Sequence, residues 1–211
     1  MIFNSVTFLI FFTLVSLLYW TLPSRPRYWF LFLASLVFYA FWRWEYLGIL
    51  LLSAVTDYYV ARGLDETPIE ESKKRKRLLA ISLSVNLGLL FYFKYLLFFT
   101  ENFNALFEWL NATTRFPYWE IVLPFGISFY TFETISYTMD VYRGHMKAEK
   151  RFITYGLFVA FFPKLVAGPI QRASELVEQL KERPAFHWQF VADGIQRMIY
   201  GLFLKVVFAD N

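Results

Sequence analysis

Apolar and polar positions fall along this chain in long blocks rather than in short alternation. Apolar runs cover about residues 2–22, 28–42, 46–62, 78–99, 124–142, 155–170 and 189–208. At a rise of roughly 1.5 Å per residue, runs of this length predict helices that cross a hydrocarbon core. The first run has no positive region before it and no small-residue cleavage site ahead of "LPSRPR", so it reads as an uncleaved spanning helix and not a signal peptide. Only "RWE" separates the second run from the third, which predicts a tight helical hairpin. "DETPIEESKKRKR" follows as a solvated loop with a helix start behind it. Lys94 lies late enough in the fourth run to snorkel toward headgroups. Trp109, Tyr118 and Trp119 suit an interfacial layer. Near 163–170, Pro163, Gly168 and Pro169 interrupt an apolar run. Irregular backbone at membrane depth survives only when buried in protein or lining a wet cavity, so a broken or re-entrant segment is expected there. An amphipathic connector, "SELVEQLKERPAFHW", leads to the last run. The fold class is therefore all-α, a polytopic integral membrane helical bundle.

Composition supports the same class. In 211 residues, 57% are hydrophobic, 22% aromatic and only 18% charged, unlike an ordinary soluble domain. The absence of cysteine excludes disulfides, thiolate catalysis and cysteine-ligated metals. No histidine and carboxylate cluster has metal-ligand spacing, so no metal site is expected, and no phosphate loop, HExxH or G-x-S-x-G pattern occurs. The net charge of +4 comes from basic residues set between apolar blocks, which suits loops beside anionic lipid and not a nucleic-acid surface. Counting only Lys and Arg orients the bundle. With the N-terminus outside, the loops holding Arg25 and Arg27, Arg62 with Lys73 to Arg77, and Arg143 to Arg151 are cytoplasmic, and the opposite loops hold only Arg43 and Arg115.

Charge also enters one apolar run. In "LPFGISFYTFETISYTMDVYRG", Leu123 to Gly144, the residues Glu133, Ser136, Asp140 and Arg143 recur at spacings of three and four, which places them on one helix face. Phe125, Phe129 and Phe132 lie largely elsewhere. An ionisable group inside a membrane costs roughly 2.5–3.5 kcal/mol on insertion scales and faces the protein interior or water. Two readings stand: Asp140 pairs with Arg143 while Glu133 holds a neighbouring helix, or the stripe lines a substrate path. Lys164 and Arg172 flank the "AGPI" turn made with Gly168 and Pro169. They either snorkel and sit at the interface, or contact donor phosphates on the cytoplasmic side. Gly168 and Pro169 themselves shape backbone.

That stretch, followed by "FFPKLVAGPIQR" and later by "KVVFADN", resembles the membrane-bound O-acyltransferase family, in its branch of alginate O-acetylation proteins and D-alanyl-lipoteichoic acid transferases. The resemblance runs along the whole chain, though members of the family are commonly more than twice its length. It implies the N-terminal part of a single membrane acyltransferase domain, in the inner membrane of a bacterium. The implied reaction carries an acyl group, acetyl in this branch, from a cytoplasmic thioester donor to a hydroxyl on an envelope polysaccharide. The donor would be acetyl-CoA or an acyl carrier protein, with no bound cofactor. A periplasmic or extracellular acyltransferase partner is also implied.

The family's general base is a histidine on a later helix, beyond Asn211. His145, in "RGHMKAEKR", and His187, in "PAFHW", match no catalytic motif position and read as loop or interfacial histidines. No catalytic residue is therefore assigned, and the 211 residues alone are expected to be inactive. A transporter or flippase shares the broken segment and inward polar stripe, and a noncatalytic membrane adaptor is the third reading.

Overall fold

Inside hydrocarbon every backbone amide must find an internal partner. The described residues meet that demand with helix alone. The structure, a computed structural model, describes residues 5–110, 115–117, 121–165, 168, 171–181 and 186–209, the side chains of Ser24 and Arg25 excepted. Among these residues there is no strand. In chain order the helices are α1 (Val6–Thr21), α2 (Ser24–Arg43), α3 (Leu47–Glu66), α4 (Ser72–Leu90), α5 (Leu96–Trp109), α6 (Ile127–Tyr142), α7 (Phe152–Ala160), α8 (Phe162–Leu165), α9 (Ala173–Lys181) and α10 (Trp188–Leu204). Contacts divide the chain into two compact units, residues 1–27 with 182–211, and residues 28–181.

The larger unit contains the hairpin expected from "RWE". Arg43 leaves the helical region at φ −157° and ψ 113°, and a single 3₁₀ turn, Trp44–Tyr46, starts the return. Twenty-six residues separate Phe32 from Tyr58, so a straight helix would hold them about 39 Å apart. Both rings instead pack edge-on against Phe152, at centroid distances of 6.3 and 5.3 Å. The chain has doubled back. A Cβ on Gly156 would come within 2.8 Å of the Phe32 ring, so that ring packs where residue 156 has no side chain.

Helix α4 runs on through a π-helical turn, Phe91–Tyr95, into α5. The combined run, Ser72–Trp109, has 38 residues, or about 57 Å of helix against a hydrocarbon thickness of about 30 Å. Its polar ends therefore project past the apolar layer. The start predicted near residue 78 moves back to Ser72, because the basic run "KKRKR" is itself helical.

Helices α3, α4 and α6 pack on one another and form the centre of this unit, with α7 and α9 against its flank. Their inner faces read at helical spacing: Leu50, Ser53, Ala54, Asp57, Ala61 and Leu64 on α3, and Arg75, Ser82, Asn86 and Leu90 on α4. Tyr137, Tyr155 and Phe158 stack beside them, with Tyr137 and Tyr155 at 4.7 Å. Outward-facing Leu52, Val55, Phe98, Phe129 and Phe132 remain exposed, as a lipid-facing surface requires.

In the smaller unit α1 is apolar all round and starts at Ser5, whose hydroxyl accepts from the Phe8 amide at 3.1 Å. The Arg27 guanidinium donates to the Leu22 carbonyl at 3.0 Å and lies 4.7 Å from the Tyr19 ring centre. Phe186 packs edge-on against Trp20. No residue of α10 is buried.

Candidate functional site

The two apolar motifs meet inside the larger unit. Gly126 caps α6 at φ +72°, in the left-handed region, and a Cβ there would collide with the carbonyl oxygen of Leu165. Glycine is required twice over, for its backbone angle and for the close approach. Two turns further along α6, Glu133 forms a buried ion pair with Lys164 of α8. The Lys164 ammonium also lies 4.3 Å from the centre of the Phe158 ring, over its face. Helix α7 ends where Phe161 turns to ψ 109°, and α8 lasts only four residues before the Gly168 amide donates to the Lys164 carbonyl at 2.8 Å. A Cβ on Gly168 would strike the backbone and Cβ of Lys164. Of the break expected near 163–170, the described residues 163–165 and 168 show Gly168 bonded back to Lys164; residues 166, 167, 169 and 170 lie outside the described residues.

Beside this pair lies a second polar cluster that the sequence reading did not single out. Asp57 is fully buried, accepts from the Ser82 hydroxyl at Oδ1 and from Asn86 Nδ2 at Oδ2, the latter at 2.7 Å. The Ser53 hydroxyl donates to Asn86 Oδ1 at 2.6 Å, and Thr134 Oγ1 lies 3.3 Å from the same oxygen. The cluster draws on α3, α4 and α6. No cation pairs with Asp57 among the described residues. Two signals in the sequence could have found it: one acid inside the otherwise apolar run 46–62, and Ser82 with Asn86 one helical turn apart.

A third buried group is Arg75. Its Nη1 donates to the carbonyls of Leu64 and Thr67, the latter at 2.7 Å, and its Nη2 to those of Tyr142 and Val141 at 2.7 and 3.4 Å. One guanidinium thereby satisfies carbonyls left open at the ends of α3 and α6, where the helix dipoles favour positive charge. Its four basic neighbours are exposed. Close by, the Tyr58 hydroxyl donates to the Lys150 carbonyl at 2.7 Å, and the Glu149 amide donates to the Tyr137 hydroxyl at 2.9 Å. Lys181 pairs with Glu149 at 3.1 Å, and its pKa is raised, chiefly by its hydrogen bond to Glu178.

The residues read as one stripe separate along α6. Glu133 is buried, Ser136 and Asp140 are half-buried, and Arg143 is exposed. Asp140 lies 3.7 Å from His145 Nδ1, and no ion pair joins it to Arg143 among the described residues. The inward face instead carries Tyr130, Thr131, Glu133, Thr134, Tyr137 and Thr138. Of the donor-side residues, Lys164 is buried and does not snorkel, whereas Arg172 is exposed and offers its carbonyl to the amides of Glu175 and Leu176 at the start of α9. Pro169 lies outside the described residues. His145 and His187 are both exposed. No metal-binding cluster of His, Cys, Asp or Glu occurs among the described residues.

Comparison with known proteins gives the arrangement a relationship. The probable alginate O-acetylase AlgI of Azotobacter vinelandii is 38% identical over 100% of this chain, which covers 42% of that protein. That of Pseudomonas aeruginosa is 38% identical over 100% of this chain and 40% of its own length. The chain is a homologue of the alginate O-acetylases. This is the branch of membrane-bound O-acyltransferases that the two motifs resemble. The peptidoglycan O-acetyltransferase of Helicobacter pylori is 37% identical over 90% of the chain and 39% of its own length. The chain spans less than half the length of the curated relatives it matches. No family model matches, and no solved structure matches.

Replacing Asp57 by Ala leaves the Ser82 hydroxyl and the Asn86 amide without their buried acceptor, a loss of about 2–3 kcal/mol. Thermal unfolding of the detergent-solubilised protein should show a clearly lowered midpoint for Asp57→Ala and a smaller drop for Asp57→Asn, which keeps one acceptor oxygen. Equal midpoints for all three proteins would show that the cluster holds nothing together.

Proposed function

We propose that these residues form the N-terminal part of a membrane O-acetyltransferase that modifies hydroxyl groups of a cell-envelope polysaccharide. The observation that carries this reading is identity of 37–38%, over 90% or more of the chain, to acetylases of two different envelope polymers. The coupling of the two apolar motifs by Glu133 and Lys164 supports it, because in this chain they form one folded unit and not two isolated signatures.

In this reading the acetyl group starts on a cytoplasmic thioester, acetyl-CoA or an acyl carrier protein, and reaches its acceptor on the far side of the membrane. The acceptor hydroxyl holds its proton too tightly to react unaided at neutral pH and needs a general base. Neither exposed histidine here takes that part. A histidine elsewhere in the full-length protein would supply it, so the 211 residues alone would be inactive. The buried polar groups of α3, α4, α6 and α8 fix the protein wall of the path and take no chemical step. A periplasmic or extracellular acyltransferase partner would complete transfer to the polymer.

The orientation belongs to the same proposal, in the inner membrane of a bacterium with the N-terminus outside. Lys73 to Arg77 and Arg143 to Arg151 share one end of the larger unit, because Arg75 joins the start of α4 to the end of α6. That end is cytoplasmic under the positive-inside rule.

Two outcomes test the proposal. Deleting the gene should remove O-acetyl groups from the envelope polysaccharide, read by proton NMR of the purified polymer, and leave the polymer yield unchanged. Loss of polymer export with acetylation intact would instead indicate a transporter. Because these 211 residues contain no cysteine, single cysteines placed in them report topology once any cysteine elsewhere in the full-length protein is replaced. In intact spheroplasts a membrane-impermeant maleimide should label Arg43→Cys and leave Lys147→Cys unlabelled, and the reverse pattern would invert the bundle.

A further inference from the structure

The end of the larger unit held together by Arg75 carries more positive charge than its own acids can balance. Lys73, Lys76 and Arg77 on the first turns of α4, and Arg143, Lys147 and Arg151 around the α6–α7 loop, are exposed and form no ion pair among the described residues. The acids nearby are mostly engaged: Glu66 with Arg62 at 3.2 Å, Glu71 with Lys74 at 3.7 Å, and buried Glu149 with Lys181. Asp65 and Glu70 remain as exposed acids of this end. The opposite end lacks such an excess. There Arg43, Lys94 and Arg115 are matched by Glu45, Glu101 and Glu108, and Arg115 lies 4.0 Å from Glu108.

Between the α3–α4 turn and the α6–α7 loop, the basic end opens into a cleft of about 460 Å³. Arg75, His145 and Lys147 line it, with Asp65 on one wall and Val141 and Met146 supplying apolar surface. Arg75 contributes its charge there, since its Nη groups are already bonded to carbonyls. Gly144, at φ +76°, carries the loop past the cleft with open space where a side chain would stand. The volume lies within the roughly 300–1,000 Å³ typical of small-ligand clefts. The mixture of fixed positive charge and apolar wall fits a ligand with a phosphate and a hydrocarbon portion.

We propose that this end of the bundle is a binding surface for anionic phospholipid, with the cleft seating one headgroup phosphate. Charge complementarity and setting select that partner. The cations of α4 stand just before turns that expose Ile81 and Leu87, and those of the α6–α7 loop share that end, so they face the headgroup layer, where Lys and Arg are attracted to an anionic leaflet. The surface is separate from acyl transfer, and its test reads lipid retention, so failure here leaves the proposed activity untouched.

The experiment incubates the purified protein, in neutral detergent, with phosphatidylglycerol or phosphatidylcholine of the same chain length, and counts retained lipids by native mass spectrometry. Phosphatidylglycerol should be retained several-fold better than phosphatidylcholine, and the preference should fall steeply with added salt. Changing Lys73, Lys76, Arg143 and Lys147 together to Gln should abolish the preference. Arg in place of the three lysines should keep it, and Arg43→Gln with Lys94→Gln and Arg115→Gln should leave it unchanged. Equal retention of both lipids, a salt-insensitive preference, or an unaffected Gln variant overturns the proposal. Displacement of phosphatidylglycerol by inorganic phosphate or coenzyme A also overturns it, because the site would then serve a soluble phosphate. Should the Gln variant fail to fold, the salt dependence of the unaltered protein still decides.

Discussion

The buried pair of Glu133 and Lys164 is the constraint around which the rest of the larger unit is arranged. Two charges at this depth cost several kcal/mol each to desolvate, and neither is tolerable without the other. Their meeting therefore fixes α8 against α6, and with it the point where α7 must stop. The short helix, the Gly168 amide folded back on Lys164 and the bare backbone of Gly126 against Leu165 all follow from bringing those two side chains together. An apolar pair of similar shape would pack there at no greater cost, so stability alone does not account for charges at this position. What the pair contributes is geometry, since it ties α8 to α6 at one point.

The Asp57 cluster and Arg75 act on the same principle at other depths. In a bilayer, apolar contact between helices is little better than contact with lipid, so polar side chains and close packing determine which faces meet. Asp57, Ser82 and Asn86 select the faces of α3 and α4, and Thr134 brings α6 to the same cluster. Arg75 does this at the helix ends, where four carbonyls need donors and one guanidinium supplies them. A positively charged end follows directly, because Arg75 is buried only by leaving Lys73, Lys74, Lys76 and Arg77 around it on the outside.

Much of this was legible in the residues, and the remainder was hidden for definite reasons. Block hydrophobicity predicts the all-helical membrane bundle, and "RWE" predicts the hairpin that Phe32 and Tyr58 close on Phe152. Glu133 is identifiable as inward-facing from its surroundings alone. Its partner is not, because Lys164 lies 31 positions away and a lysine near the end of an apolar run ordinarily snorkels. The spacing that joins Glu133, Ser136, Asp140 and Arg143 is real on a helical wheel but takes no account of depth. The inward face of α6 runs through Thr134, Tyr137, Thr138 and Val141, so Asp140, to one side of it, meets His145, and Arg143, just past the helix end, meets solvent. Arg75 was concealed by its neighbours, since a run of five basic residues reads as uniformly solvated until the helix rotates one of them inward.

The central claim is that the two apolar motifs form one folded unit through Glu133 and Lys164. The most direct measurement is a double-mutant cycle of Glu133→Gln and Lys164→Met, followed by thermal and denaturant unfolding of the detergent-solubilised protein. Each single change should cost about 3–5 kcal/mol by stranding a buried charge, and the double variant should recover most of one of those losses. Losses that simply add, or single variants as stable as the unaltered protein, would contradict the account.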